Sequence, residues 1–181
     1  GGNMIEVSTS ILTVEKGKEA ETFFALEKSK TDYFHIDVMD GKFVEKDTYQ
    51  NMLEYSSYIK RISNLPMDVH LMVTDIKKAI EDFSAVEPNI ITFHLEACKN
   101  KEEVIEMINF IKEQGSRVGI AIKPETKIEE VYEYLPYIHM CLIMTVEPGK
   151  GGQTLITDML SKISALKTHI AVLDKPYDND Y

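Results

Sequence analysis

Cysteine is nearly missing from this chain: Cys98 and Cys141 are the only two in 181 residues. Both lie in or beside apolar runs and neither has the C-x-x-C spacing, so a disulfide framework and a thiolate metal site are excluded, and a reducing cytosol fits. Long apolar runs are missing too. No stretch approaches the roughly eighteen consecutive apolar residues that span a bilayer, and the N-terminus lacks a basic region ahead of an apolar block. A soluble, cytoplasmic protein with no membrane partner is the expectation. Basic residues are outnumbered, 20 Lys and Arg against 30 Asp and Glu, giving a net charge of −10 that repels a phosphate polymer at long range. Nucleic acid is therefore not an expected partner. A small anion is still compatible, because a local site can oppose the global sign.

What is present is ordinary globular composition, 44% hydrophobic and 28% charged. Gly1, Gly2 and Asn3 read as a cloning remnant ahead of a native start at Met4, leaving one expected domain over residues 4–181. Short β-branched and apolar runs at Ile5–Ile11, Tyr33–Met39, Met67–Val73, Asn89–Leu95, Arg117–Lys123 and Met140–Val146 predict strands. Amphipathic segments near Glu15–Ser29, Tyr49–Ser63, Asp75–Ala85, Lys101–Gln114, Ile128–Leu135 and Thr157–Lys167 predict helices between and after them.

Alternating strands and helices imply a parallel sheet with right-handed crossovers, either an open doubly wound sheet or a closed barrel. Side-chain parity separates the two. His35, Asp37 and Met39 share one strand face, as do Asp68, His70 and Met72, and Thr92, His94 and Glu96. An open sheet has both faces covered by helices and apolar, whereas a barrel gathers polar groups at the C-terminal mouth of its interior. The expected fold is thus α/β, a (β/α)₈ TIM barrel with six of its eight βα units in this sequence. Such a remnant is expected to expose the edges of its first and sixth strands, where another chain could pair, so a homo-oligomer is kept open as a partner.

The chemistry gathers at strand ends. His35 and Asp37 side by side, with His70 on the neighbouring run, offer three ligands for one divalent ion; the alternative is a polar layer bonded internally. Glu147-Pro148-Gly149-Lys150-Gly151-Gly152-Gln153 follows a strand and precedes a helix, where glycines let backbone N–H groups approach an anion, or simply serve a tight turn. Met39, Met72 and Met144 fall near strand C-termini, as core filling or as site walls. Ser10, His94, Glu96 and Lys123 are candidate contacts of the same ambiguity, and His139 and His169 carry no signal.

Six ordered blocks carry a resemblance: Ser8-Thr9-Ser10-Ile11-Leu12, His35-Ile36-Asp37-Val38-Met39-Asp40-Gly41, Asp68-Val69-His70-Leu71-Met72-Val73, Ile91-Thr92-Phe93-His94-Leu95-Glu96-Ala97, Gly119-Ile120-Ala121-Ile122-Lys123-Pro124, and Met144-Thr145-Val146-Glu147 running on through the glycine segment. Together they resemble the ribulose-phosphate 3-epimerase family. The resemblance implies that His35, Asp37 and His70 bind one divalent metal ion, whether zinc, iron, manganese or cobalt. Asp37 would also be a catalytic acid/base and Ser10 a substrate contact, beside His70. Gly149, Lys150, Gly151 and Gly152 would form the substrate loop, and Met39, Met72 and Met144 would crowd the reacting carbons.

The implied reaction is epimerisation at carbon 3 of D-ribulose 5-phosphate to D-xylulose 5-phosphate through an enediolate, a step of the pentose phosphate pathway. The alternatives are a related epimerase of a six-carbon ketose phosphate such as allulose 6-phosphate, or a phosphate-binding barrel fragment without turnover. Family members carry a further aspartate in an Asp-Gly-Gly motif on a seventh strand, as fourth ligand and second acid/base, which this sequence lacks; the chain by itself is therefore expected to be inactive. Thr9 replaces a usual proline, Lys42 a common histidine, Glu45-Lys46 a common Pro-Asn and Lys150 a phenylalanine.

Overall fold

The computed structural model describes residues 6–15, 19–25, 33–147, 161–162, 164–166 and 168–169, with the side chains of 6–15, 19–25 and 145–147 excepted. In chain order the elements are β1 (Glu6–Glu15), β2 (Glu19–Ala25), β3 (Phe34–Met39), α1 (Tyr49–Ile62), β4 (Met67–Met72), α2 (Ile76–Ser84), β5 (Ile90–His94), α3 (Lys101–Glu113), β6 (Arg117–Ile122) and β7 (Met140–Glu147). A 3₁₀ turn over Leu95–Ala97 follows β5, and a longer 3₁₀ segment over Ile128–Tyr137 follows β6. The chain divides into two compact units, Thr31–Ile120 and the pair Gly1–Lys30 with Ala121–Tyr181.

The unit Thr31–Ile120 is built from βα steps with parallel strands, the repeating element of a (β/α) barrel. Strand β3 pairs in parallel with β4, and β4 with β5, with Asp37 opposite His70 and His70 opposite Thr92. Backbone bonds lace the strand entrances: Phe34 N–H to Pro66 O at 2.9 Å, Asn89 N–H to Met67 O at 2.9 Å and Arg117 N–H to Asn89 O at 3.0 Å. Alternate residues of β3, Ile36 and Val38, are fully buried, and every residue of β4 and β5 is buried. That is the pattern of strands covered on both faces.

Helices α2 and α3 form where the local code agrees with the packing. Asp75 accepts the Lys78 N–H at 3.2 Å and caps α2, whose Ile76, Ala79, Ile80 and Phe83 make one buried stripe at helical spacing. Asn100 accepts the Glu103 N–H at 2.9 Å and caps α3, which buries Val104, Met107, Ile108 and Ile111. Helix α3 stops in a Schellman arrangement. Ser116 N–H reaches Ile111 O and Gly115 N–H reaches Lys112 O, which requires the left-handed φ of +96° that glycine supplies at Gly115.

In the other unit the outcome departs from the sequence expectation. Residues expected as a helix near Glu15–Ser29 contribute β2, antiparallel to β1 with Ser10 opposite Phe24. Thr22, Phe23 and Phe24 favour the pleated state, and the ladder they make satisfies one edge of β1. The other edge of β1 runs parallel to β7, with Ser10 opposite Met144. The edges expected to stand open on the first and sixth predicted strands are thus paired with each other, since a desolvated strand edge left unpaired is costly.

The segment expected as an α-helix over Ile128–Leu135 is 3₁₀ instead and runs to Tyr137. Pro136 lacks a donor, and in an α-helix its ring would collide with the preceding turn. Of the helix expected near Thr157–Lys167, the described residues 161–162, 164–166 and 168–169 are helical. Lys162 there is buried and donates through Nζ to the carbonyls of Pro124 and Thr126, at 2.5 and 2.7 Å. His169 stacks on Tyr132 with ring centres 3.7 Å apart.

Candidate active site

The parallel register of β3 and β4 sets the predicted residues in cross-strand pairs on one face: His35 with Asp68, Asp37 with His70 and Met39 with Met72. Each pair is as close as neighbouring strands permit. His35 Nδ1 lies 3.7 Å from Asp68 Oδ2, and His70 Nδ1 lies 3.5 Å from Asp37 Oδ1. Met39 and Met72, both buried, close the C-terminal end of this ladder. Exposure divides it further. Asp37 and His35 keep 23% and 29% of their side-chain surface, so a small molecule can reach them, while Asp68 and His70 are buried.

Beyond β4 the ladder continues sideways. His70 Nε2 lies 2.9 Å from His94 Nε2 with the rings stacked, and His94 Nδ1 lies 3.0 Å from Glu96 Oε1. Glu96 was expected on the strand with Thr92 and His94; the strand ends at His94, and Glu96 reaches the histidine from the 3₁₀ turn that follows. Phe43 covers the His94 ring with centroids 5.1 Å apart. His70 Nδ1 is buried and has no hydrogen-bond partner among the described residues.

Two residues that the sequence reading left without a role hold the end of β3 in place. Thr48 donates its hydroxyl to Asp37 O at 2.8 Å and accepts the Met39 N–H at 3.0 Å, thereby clamping the backbone on both sides of Val38. Thr48 is also the N-cap of α1, yet its side chain makes no capping bond, because the oxygen is spent on the strand. Asp40 accepts the N–H groups of Lys42 and Phe43 through one oxygen, and the N–H and hydroxyl of Thr74 through the other, at 2.8 to 3.1 Å. Burial alone would raise the Asp40 carboxyl, but these donors outweigh it and its pKa falls below the usual carboxylate value.

Asp40 therefore joins the loop after β3 to the loop after β4. The loop itself turns at Gly41, whose φ is +74° and whose N–H bonds Lys46 O at 3.0 Å; a Cβ there would meet Asp47 at 3.4 Å. Lys42 contributes its backbone N–H to Asp40, a contact any non-proline residue makes. The signal for Asp40 was its place in the same block as His35 and Asp37. Thr48 had none beyond being a good cap.

Among the described residues, no three His, Cys, Asp or Glu side chains gather closely enough to form a metal cage by themselves. Asp37 and His70 meet, and His35 stands one pair down the ladder. The donor types suit a divalent cation, and the buried, unbonded His70 Nδ1 facing a carboxylate oxygen is what such a cation would satisfy. In the other unit Met144 is buried and lies opposite Ser10 in register. Gly149, Lys150, Gly151 and Gly152 lie outside the described residues, as does the expected remnant Gly1–Asn3.

Comparison with known proteins adds the last observation. A model described as the ribulose-phosphate 3 epimerase family matches residues 6–178. The chain is 35% identical over 175 residues to the ribulose-phosphate 3-epimerase of Methanocaldococcus jannaschii, covering 97% of this chain and 71% of that protein. It is 34% identical over 164 residues to that of Bacillus subtilis, covering 91% and 73%. The chloroplastic ribulose-5-phosphate-3-epimerase of Arabidopsis thaliana is 33% identical over 163 residues, 90% of this chain and 57% of that protein.

Proposed function

Because this chain belongs to the ribulose-phosphate 3-epimerase family, we propose that it serves epimerisation at carbon 3 of D-ribulose 5-phosphate, with Asp37 as an acid/base. The observation that carries this is the partly exposed Asp37 carboxylate 3.5 Å from the buried His70 imidazole, with the buried Met39 and Met72 paired two residues further along the same strands. Inversion at a carbon next to a ketone begins with removal of a weakly acidic proton. Asp37 takes that proton from carbon 3, leaving an enediolate, and a carboxylate open on one side suits the task. The methionine thioethers exclude water and offer polarizable contact without a proton that would quench the enediolate at the wrong position.

His35, Asp37 and His70 would hold the divalent cation, zinc, iron, manganese or cobalt, and the cation would supply Lewis acidity to the substrate oxygens. The same reading gives the phosphate to Gly149, Lys150, Gly151 and Gly152 and further substrate contacts to Ser10 and Met144. It also puts the protein in the cytosol, supported by two free cysteines. Among the described residues no helix is long and apolar enough to cross a membrane.

Solvent exchange tests the assignment at the step Asp37 performs. Ribulose 5-phosphate incubated in D2O with the protein and a divalent cation is expected to lose its carbon-3 proton signal by NMR, with Asp37→Asn abolishing the loss. An unchanged signal with the cation-loaded protein would overturn the proposal. Xylulose 5-phosphate formation, read by a coupled assay, reports separately on completed inversion.

A further inference from the structure

We propose that Glu96, acting through His94, is a positioning residue that fixes the tautomer of His70 so that its Nδ1 presents a lone pair beside Asp37. The inference rests on the functional reading above, in which a divalent cation is held there. It follows from hydrogen-bond direction with both imidazole rings neutral. His70 and His94 are 4% and 1% exposed, so water cannot complete their hydrogen bonding. A carboxylate only accepts, so Glu96 Oε1 at 3.0 Å requires the proton of His94 to sit on Nδ1. With His94 as the neutral ring, its Nε2 is bare, and the 2.9 Å contact is made when His70 Nε2 carries its own proton and donates it.

That leaves His70 Nδ1 bare. It is buried, has no hydrogen-bond partner among the described residues, and faces Asp37 Oδ1 at 3.5 Å. A lone pair on His70 Nδ1 facing a carboxylate oxygen at this distance, which is beyond a good N–H···O bond, is an arrangement that a divalent cation would join. With His94 neutral, the opposite assignment, with the His70 proton on Nδ1, places two bare imidazole nitrogens 2.9 Å apart, a repulsive contact. Glu96 thus acts at a distance, choosing which nitrogen of His70 is available as a ligand, and Phe43 over the His94 ring keeps that choice from water.

The test reads tautomers and metal binding rather than turnover. In the unmodified, zinc-loaded protein, nitrogen-15 NMR should find protons on His94 Nδ1 and His70 Nε2; a proton on His70 Nδ1 overturns the proposal without any variant having to fold. Glu96→Ala should weaken zinc binding about 10- to 100-fold in a chelator competition. Glu96→Gln, which keeps an accepting oxygen, should restore most of it. Zinc affinity within twofold of the unmodified protein in Glu96→Ala overturns the inference, and so does failure of the unmodified protein to bind zinc or cobalt. Binding with the predicted tautomers but without carbon-3 exchange would sink the functional reading and leave this inference standing.

Discussion

The hydroxyl of Thr48 donates to the carbonyl of Asp37, 2.8 Å away, from the N-cap position of a helix to which it gives no capping bond. A capping bond contributes about 1 kcal/mol, so the oxygen has been diverted to a use of comparable worth. Thr48→Val keeps the shape and removes both bonds, and is expected to cost about 1–3 kcal/mol in urea denaturation. Carbon-3 exchange should fall further than the loss of folded protein explains, because Asp37 loses its anchor. Thr48→Ser should retain both properties; equal damage from Val and Ser would show that the hydroxyl is not what matters.

Asp40 makes a prediction with a definite pH sign. Its pKa is lower folded than unfolded, so its contribution to stability is present above the unfolded value and lost as pH falls through the folded one. Asp40→Asn should therefore be destabilised by about 1–3 kcal/mol near neutral pH. The gap to the unmodified protein should narrow once the pH drops below about 4. A gap that stays constant from neutral to acid pH would mean the charge of Asp40 contributes nothing.

Gly115 is open space on its Cβ side, with nothing within 4 Å, so an added methyl group meets no clash. Its φ of +96° nonetheless disfavours any L side chain. Gly115→Ala should lower stability by about 1–2 kcal/mol from backbone strain alone. Thermal melts unchanged or improved by the substitution would refute the assignment of that turn.

The cysteines should be chemically quiet. Burial pushes the thiols of Cys98 and Cys141 up to about 12, with Glu103 and Glu96 adding to the effect at Cys98. Near pH 8 the thiolate fraction of each is smaller than in a free cysteine by a factor on the order of a thousand. Labelling of the native protein with a thiol-reactive disulfide should be slow, and become fast in denaturant. Rapid reaction of either thiol in the native state would contradict its placement.

Much of the ladder could be read in advance, since period-two alternation put His35, Asp37 and Met39 on one face of their run and Asp68, His70 and Met72 on one face of the next, and the register then paired them. Strand ends came within a residue or two in the unit Thr31–Ile120, because there each local preference agrees with the packing around it. Agreement fails in three places. The stretch Glu19–Ala25 has helical charge patterning but finds a strand edge to pair with, so a tertiary partner decides its state. Ile128–Tyr137 has the helical period, and one proline tightens it to 3₁₀. Thr48 and Asp40 act on backbone atoms brought near only by the fold, for which a sequence carries no periodic signal.

Strand β1, between β2 and β7, has consequences for the order of assembly. Its hairpin partner follows within a few residues, whereas its parallel partner begins with Met140 opposite Glu6. β1 and β2 are made before the other described elements, and β1 must wait for almost all of the described chain before its second edge is filled. Residues 31–120 can condense on contacts close in sequence, but pairing β1 with β7 closes a loop of most of the described chain, a slow kind of event for a growing polypeptide. During that wait the free side of the β1–β2 hairpin is open to capture by another strand.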